Sequence, residues 1–78
     1  MGYMELYHGT NESGWIKILS TGFLVNGSFL TQYPDIAKSY GREILVVKYE
    51  PKLGEWIPGA DLVTSSLVSV NDIYKYKD

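Results

Sequence analysis

Hydrophobic and polar residues alternate with two different periods along the chain, and the changes of period predict its strands and helices. Alternation of period two over Met4 to His8 predicts a first strand, with His8 at its end. Apolar residues at helical spacing follow and predict a helix over about Glu12 to Ser20, which begins at the capping residue Asn11 and is ended by Gly22. The chain is thus expected to open with a strand that leads directly into a helix.

The middle of the chain predicts short strands and a second helix. Phe23-Leu24-Val25 is expected to be extended, Asn26-Gly27 is a turn signal of the kind found between strands, and Ser28 to Thr31 predicts a short strand. A second helix is expected to begin near Tyr33, with Pro34 in its first turn, and to end at Gly41.

The strongest strand signal lies in the second half of the chain. Glu43 to Glu50 carries the run Ile-Leu-Val-Val, which is continuous enough to be buried on both faces, so we expect it to be the central strand. Pro51 to Gly59 predicts a loop, and further strands are predicted at Leu62-Val63, over Leu67 to Val70 and over Ile73 to Tyr76. This order predicts an α+β fold in which residues 1–78 form a single domain, with a small, mostly antiparallel sheet of about five or six short strands and two short helices.

Composition narrows the classes of protein to which the chain can belong. Its 78 residues, 45% hydrophobic and 21% charged, suit one small globular domain with a modest core, which leaves open stabilisation by a homodimer or by a protein partner. The net charge of −2 provides no basic field for duplex nucleic acid. With no cysteine, one histidine and no long apolar run, the sequence predicts a cytoplasmic protein that has no membrane segment and no metal site.

The single histidine, His8, stands where the first predicted strand meets a glycine. An imidazole there can donate to or accept from a sugar hydroxyl, and the amide and carbonyl of Gly9 make a two-point match for a carboxamide. Because Gly9 has no Cβ, we expect a ligand to approach the backbone closely, with Thr10 beside it. This strand end is therefore the predicted ligand site.

Aromatic and basic residues further along the chain can complete such a site. Phe29, Tyr33 and Tyr40 can form the walls of a slot for a flat ring, and each face contact contributes about 1 kcal/mol beyond burial. Arg42, together with Lys38, can neutralise a pyrophosphate. These groups are the parts of a dinucleotide pocket.

Three motifs together resemble the catalytic core of the ADP-ribosyltransferase superfamily, in particular its poly(ADP-ribose) polymerase-like branch. They are Tyr7-His8-Gly9-Thr10, Gly27-Ser28-Phe29-Leu30-Thr31 and Ala37-Lys38-Ser39-Tyr40. The resemblance implies an ADP-ribosyltransferase-like fold, NAD as the cofactor and transfer of ADP-ribose to a protein target. It further implies that His8 bonds the adenine-side ribose and that the Gly9 backbone holds the nicotinamide amide. Phe29 and Tyr40 would supply the rings that stack on NAD.

The chain departs from this family pattern at two places. Phe29 stands where the family usually has a tyrosine, so the ring is kept and the hydroxyl is lost. The late strand lacks the family's catalytic glutamate, which stabilises an oxocarbenium-like transition state; Ser66 is the candidate replacement beside His8, and Asp61 is the nearest acid. A serine hydroxyl can hold a ribose but stabilises such a cation poorly. The sequence therefore leaves open whether the chain is an enzyme.

Each candidate also has an ordinary structural interpretation. His8 can be a structural or solvent-facing histidine, and Phe29 and Tyr40 can be core aromatics that a small chain needs. Arg42 can form a solvated surface pair with Glu43. The alternative hypothesis is a catalytically inactive relative of the family that acts as a protein-binding inhibitor or adaptor, as small phage or mobile-element counter-defence proteins do.

Aromatic residues offer that alternative function a surface. Trp56 lies in a loop between two glycines, and several of the seven tyrosines lie on or beside predicted strands. Trp and Tyr are common energetic centres of protein interfaces. Trp56, Tyr74 and Tyr76 are therefore the predicted protein-binding residues, and the tyrosines are expected to share one face of the sheet.

Overall fold

The computed structural model describes residues 2–52, 55 and 62–77, which form seven strands, two α-helices and one 3-10 turn. In chain order these elements are β1 (Met4–Thr10), α1 (Glu12–Thr21), β2 (Phe23–Leu24), β3 (Phe29–Leu30), α2 (Pro34–Lys38), β4 (Glu43–Tyr49), β5 (Leu62–Val63), β6 (Val68–Ser69), the 3-10 turn (Val70–Asp72) and β7 (Ile73–Lys75). The prediction of an α+β protein with antiparallel strands and two short helices is confirmed.

The main sheet has the order β1-β4-β7, and both pairings are antiparallel. Its register places Leu6 of β1 opposite Val47 of β4, and Tyr74 of β7 opposite Val46. All four residues of the run Ile44 to Val47 are buried. Because their side chains alternate between the two faces, β4 is covered on both sides, as expected for a central strand.

The prediction of a single sheet of five or six strands is wrong. β2 pairs with β6 and β3 pairs with β5, so that these four strands form two separate antiparallel ribbons. One isolated bridge, from Tyr7 to Thr31, joins the β3 segment to β1. The predicted turn at Asn26-Gly27 is present, with Gly27 at a φ of +84°, but the strands on either side of it pair elsewhere.

Helix α1 follows the predicted bounds to within one residue. The Asn11 side chain accepts a hydrogen bond from the Gly14 amide at 2.7 Å, and Gly22 ends the helix at a φ of +88°. The predicted apolar face is only partly buried: Ile18 is 6% exposed, whereas Ile16 is 54% exposed. The reason is that only a narrow stripe of α1 faces β1. The helix approaches the strand closely along this stripe, since a Cβ on Gly14 would lie only 2.0 Å from the hydroxyl of Thr10.

Helix α2 is a short element that packs on the opposite face of β1. Pro34 occupies its first turn, as predicted, and Ala37 is completely buried against β1. The Pro ring fixes φ and removes an amide that would have no partner at a helix start. Neither α1 nor α2 is long and apolar enough to cross a membrane.

The hydrophobic core lies between the main sheet, α1 and the two ribbons. Its members are buried aliphatic residues and one tyrosine: Leu6, Ile18, Leu24, Leu30, Leu45, Val47, Tyr49, Leu62, Val68 and Ile73. Every strand therefore contributes to one apolar layer, including β7 through Ile73, and His8 continues the core face of β1 beyond Leu6. The fold thus places His8 at the edge of the core, beside α1.

Candidate functional site

His8 is tied to the neighbouring β3 strand by its ring. Its Nδ1 lies 2.8 Å from the carbonyl oxygen of Phe29. A carbonyl can only accept, so Nδ1 carries the hydrogen and donates it. Nε2 makes no hydrogen bond to any described residue, which leaves it available to a ligand as an acceptor in the neutral ring.

The backbone hydrogen bonds between β1 and β3 stop at Phe29, because its carbonyl oxygen accepts a hydrogen bond from the His8 ring. Tyr7 exchanges both backbone hydrogen bonds with Thr31, at 2.7 and 2.9 Å, so its polar groups point away from β4. Antiparallel ladders alternate, so the groups of Gly9 point the same way as those of Tyr7. A ladder continued from the Tyr7 bridge would pair Gly9 with Phe29, but the Phe29 carbonyl already accepts from His8.

The amide and the carbonyl of Gly9 are consequently left without a described partner at this opening. The hydrogen bond from the Tyr76 amide to the Ile44 carbonyl supports this orientation, because Ile44 lies opposite Gly9 and directs its backbone toward β7 instead. An unpaired donor and acceptor side by side on one residue match a carboxamide. The two backbone groups that the predicted contact would use are therefore without a described partner beside Gly9.

Gly9 is required for a different reason from the one the sequence suggested. A Cβ on Gly9 would lie 1.8 Å from the carbonyl oxygen of Ala37 and 3.2 Å from the Cβ of Tyr40. The missing side chain thus makes room for α2, not for a ligand, and the expectation of ligand approach on that side is wrong. The same packing brings Tyr40 next to the opening between β1 and β3.

The two predicted aromatic walls contact each other. The ring centroids of Phe29 and Tyr40 are 4.6 Å apart, with the planes tilted by 39°. A flat ring between them would need roughly 7 Å, that is, two contacts of about 3.5 Å, so the predicted slot is closed. Tyr40 is 58% exposed and can swing outward, whereas Tyr33 lies exposed at the start of α2 and makes no ring contact within the described part of the chain.

A cleft of about 190 Å³ opens on the core face of β1 between the strand, α1 and the β2–β3 connection. Its lining comprises His8, Thr10, Gly14, Lys17, Ile18, Thr21, Phe23, Leu24, Val25 and Ser28. Typical small-molecule sites have volumes of about 300–1,000 Å³, so this cleft can hold one moiety of a dinucleotide. The remainder of such a ligand would have to lie over the Gly9 opening and Tyr40.

Lys17 is a site residue that the sequence interpretation did not include. It projects from the stripe of α1 that faces His8, together with Gly14, Ile18 and Thr21. These positions follow the i, i+3, i+4, i+7 spacing of one helix face. The apolar periodicity indicated Ile16, on a different part of the helix surface. The signal for the face that packs on β1 was Gly14, because a glycine inside a helix often marks close packing against another element.

Arg42 and Ser66 do not lie with His8. Arg42 lines a separate depression of about 400 Å³ with Asn11 and two acidic residues, Glu12 and Glu43. Ser66 lines another depression that also contains Tyr49, the residue opposite Met4 at the far end of the β1–β4 pair. His8 lies four residues further along β1, about 13 Å away at strand rise.

Among the described residues, Glu55 is a carboxylate that contacts the segment where the family's glutamate is expected. Its Oε2 accepts from the Tyr49 hydroxyl at 2.6 Å and from the Ser65 amide at 2.9 Å, and its Oε1 accepts from the Lys52 amide at 2.8 Å. Partial burial alone would raise the pKa of Glu55, but these hydrogen bonds outweigh it and lower the pKa below its ordinary value. Asp61 and Trp56, which the sequence also singled out, lie outside the described residues.

Three tyrosines share the face of the main sheet opposite the cleft. Tyr7 and Tyr76 meet edge to face with ring centroids 5.3 Å apart, and the Tyr74 hydroxyl donates to Glu5 at 3.0 Å. That hydrogen bond raises the pKa of Tyr74. The three tyrosines, with Val46 beneath them, line a groove of about 580 Å³. We call the surface formed by these four residues the tyrosine face. Tyr49, although it also lies on a strand of this sheet, is instead buried in the core.

The site contains no described cluster of three or more metal-ligating side chains. No protein-family model, curated protein or solved structure matches this chain. The geometry of His8, Gly9 and the cleft is therefore the basis for inferring a function.

Proposed function

We propose that this chain is an ADP-ribosyltransferase-like protein that binds NAD or an ADP-ribose-type ligand at the end of β1. The ribose contacts Nε2 of His8 in the cleft, with Thr10 beside it. The carboxamide pairs with the backbone amide and carbonyl of Gly9. Phe29 and Tyr40 supply the aromatic surface for the attached ring.

The opened ladder beside Gly9 is the observation that carries this proposal. A side-chain hydrogen bond from His8 occupies the Phe29 carbonyl that would otherwise continue the pairing. Exposed pairing groups at a strand edge are normally covered or satisfied, because they cost free energy when left open away from water. Ligand binding would satisfy both groups of Gly9 and Nε2 of His8 at once.

The contact between Phe29 and Tyr40 adds a condition to the proposal. The rings must separate before a flat ring can enter, and the exposed Tyr40 is the one that moves. Opening costs the ring contact, about 1 kcal/mol, which the bound ring restores by stacking in its place. Binding therefore proceeds with a local rearrangement at the end of α2.

Transfer of ADP-ribose to a protein target is the reaction that the resemblance implies. It breaks the bond between the ribose C1 and the nicotinamide nitrogen, and a nucleophile of the target adds to that carbon. The described lining of the cleft includes no carboxylate to stabilise the cationic transition state. Ligand binding is therefore the primary function proposed for this site, and nicotinamide release is the separate measurement that would reveal turnover.

The test is calorimetric titration of NAD and ADP-ribose into the wild-type chain, His8→Asn and His8→Ala. The asparagine amide nitrogen can take the place of Nδ1 and keep the bond to Phe29, but it supplies no counterpart of Nε2. We expect saturable binding by the wild type and loss of binding in both variants. Nicotinamide release by the wild type would add turnover. Absence of binding by the folded wild type, or equal affinity in His8→Asn, would reject the proposed site.

The tyrosine face favours a second function, that of a catalytically inactive protein-binding inhibitor or adaptor. Tyr74 is 45% exposed and shares an open groove with Tyr7 and Tyr76. Such amphipathic rings are suited to a protein interface. A partner captured by the wild type and by His8→Asn, but not by the paired variant Tyr74→Ala with Tyr76→Ala, would favour this function over ligand binding.

A further inference from the structure

Lys17 stands at the cleft without a neighbouring acid. On a helix, side chains three and four positions apart are neighbours, and an acidic residue there would compensate the ammonium. The residues at those positions are Ser13, Gly14, Ser20 and Thr21, none of them acidic. The cleft lining contains no carboxylate, and no ion pair joins Lys17 to a described residue.

Two other basic side chains, Lys75 and Arg42, lie near acidic residues. The Lys75 ammonium lies 2.8 Å from a carboxylate oxygen of Glu43. Arg42 shares its depression with Glu12 and Glu43. Lys17 differs from both, because its charge is uncompensated and it lines the same cleft as His8. A positive field in a cleft with an apolar floor favours an anionic ligand group.

We infer that Lys17 binds a phosphate ester on the ribose held by His8, so that the cleft selects a phosphorylated nucleoside over a bare one. The inference rests on the proposed function, because it requires the ribose at His8. Lys17 is exposed and therefore lies at the rim of the cleft, whereas Ile18 and Leu24 lie buried at its floor. The base accordingly enters toward the floor and the phosphate stays at the rim, where it keeps part of its hydration.

The phosphate-binding role separates Lys17 from Arg42, the cation that the sequence suggested. An ammonium on a flexible stem binds phosphate as a point charge and needs no fixed geometry, which suits a residue at the rim of a cleft. Arg42 shares its depression with two acidic residues, and their negative charge disfavours a phosphate there. The ligand phosphate is therefore bound by a residue of helix α1 and not by the residues after α2.

The test compares adenosine, AMP and ADP-ribose by titration against the wild type, Lys17→Gln, Lys17→Arg and a control, Lys48→Gln. Lys48 is exposed on β4 and does not line the cleft. We expect the wild type to bind both phosphorylated ligands about tenfold more tightly than adenosine. In Lys17→Gln this preference disappears while adenosine affinity is unchanged. Lys17→Arg and Lys48→Gln retain the preference, and added salt reduces it.

The outcomes separate this inference from the proposed function. Adenosine binding that depends on His8, with no gain from phosphate or no effect of Lys17→Gln, would overturn the role of Lys17 and leave the ribose site standing. An equal loss for adenosine and AMP in Lys17→Gln would also overturn it, since that loss reports packing and not charge. If the folded wild type binds none of the three ligands, the ribose site and the role of Lys17 are both rejected.

Discussion

The two ends of the β1–β4 pair use their polar groups in opposite ways. At the end that contains His8, the Gly9 backbone and Nε2 of the ring have no described partner. At the other end, the Tyr49 hydroxyl and the Ser65 amide both bond to the Glu55 carboxylate, whose second oxygen accepts from a further amide. We call these the His8 end and the Tyr49 end.

This difference identifies which polar cluster is suited to a ligand. A cluster whose donors and acceptors satisfy one another holds the fold together and has little capacity left for a bound molecule. A cluster with unused donors and acceptors beside an apolar cleft can recognise one. Removal of a hydrogen-bonding side chain at the Tyr49 end should therefore lower stability, whereas substitution of the His8 side chain should change binding and stability separately. The packing of α2 against Gly9 supports the His8 end and should contribute to stability.

The largest effect that tests this comparison is expected for Gly9→Ala, because the new Cβ would overlap the Ala37 carbonyl, a backbone group that cannot turn away. We expect a loss of about 3 kcal/mol in the free energy of unfolding, measured by urea denaturation. Gly2→Ala is the matched control, since its Cβ would meet no atom within 4 Å. A loss as small as that of the control would mean that α2 shifts without cost and does not define the His8 end.

Tyr49→Phe is expected to have the next largest effect. Tyr49 is 3% exposed, and the variant keeps its packing while removing the hydroxyl that donates to Glu55. Hydrogen bonds to charged groups contribute about 1.5–3 kcal/mol, so we expect a loss of about 2 kcal/mol. Tyr3→Phe, at a 66% exposed residue, controls for the loss of a phenol. An unchanged unfolding midpoint for Tyr49→Phe would show that the Tyr49 end is not a stabilising network.

The pair His8→Ala and His8→Asn sharpens the other half of the comparison. Removal of the bond to Phe29 in His8→Ala should cost about 1 kcal/mol, whereas His8→Asn should unfold close to the wild type because an amide nitrogen can replace Nδ1 as the donor. Thermal unfolding of the two variants, run beside their ligand titrations, measures both properties. A destabilised His8→Asn would assign the ring a packing role that the hydrogen bond alone does not explain.

Local signals predicted most of the elements of this fold. The capping residue Asn11 and the glycine at position 22 define α1, and the apolar run Ile44 to Val47 defines the central strand; each depends on neighbours in sequence. The arrangement of the strands did not follow from such signals. Asn26-Gly27 makes its turn, yet β2 and β3 pair with strands about forty residues away, a choice set by packing of the whole core.

The candidate site was predictable to a similar degree. The sequence indicated the strand end at His8 because the single histidine of the chain stands where an apolar run meets a glycine. Arg42 and Ser66 lie apart from this strand end because of the strand register and because each side chain lines a different depression. Neither property can be predicted from the residues next to them in sequence. Lys17 was missed because a lysine on an amphipathic helix normally faces solvent, and only the tertiary approach of α1 to β1 directs it to a cleft.

The smallest effect concerns the pH dependence of the Tyr49 end. The pKa of Glu55 is lowered in the folded chain because hydrogen bonds from Tyr49, Lys52 and Ser65 outweigh the opposing effect of burial. A carboxyl with a lowered folded pKa stabilises the fold above its unfolded pKa, and that contribution is lost as the pH falls through the folded value. Glu55 is largely solvated, so the contribution should stay below about 1 kcal/mol.

Urea unfolding of the wild type and Glu55→Gln at neutral pH and at about pH 3, below the usual carboxyl range, measures this contribution. Glutamine keeps one oxygen to accept hydrogen bonds but cannot be protonated in this range, so the variant should lose less stability on acidification than the wild type. Glu50→Gln, at an exposed carboxyl nearby, should follow the wild type. If the wild type and Glu55→Gln lose the same free energy of unfolding on acidification, the charge of the carboxylate does not stabilise the network. The Tyr49 end would then be held by neutral hydrogen bonds, and the contrast with the His8 end would rest on their number alone.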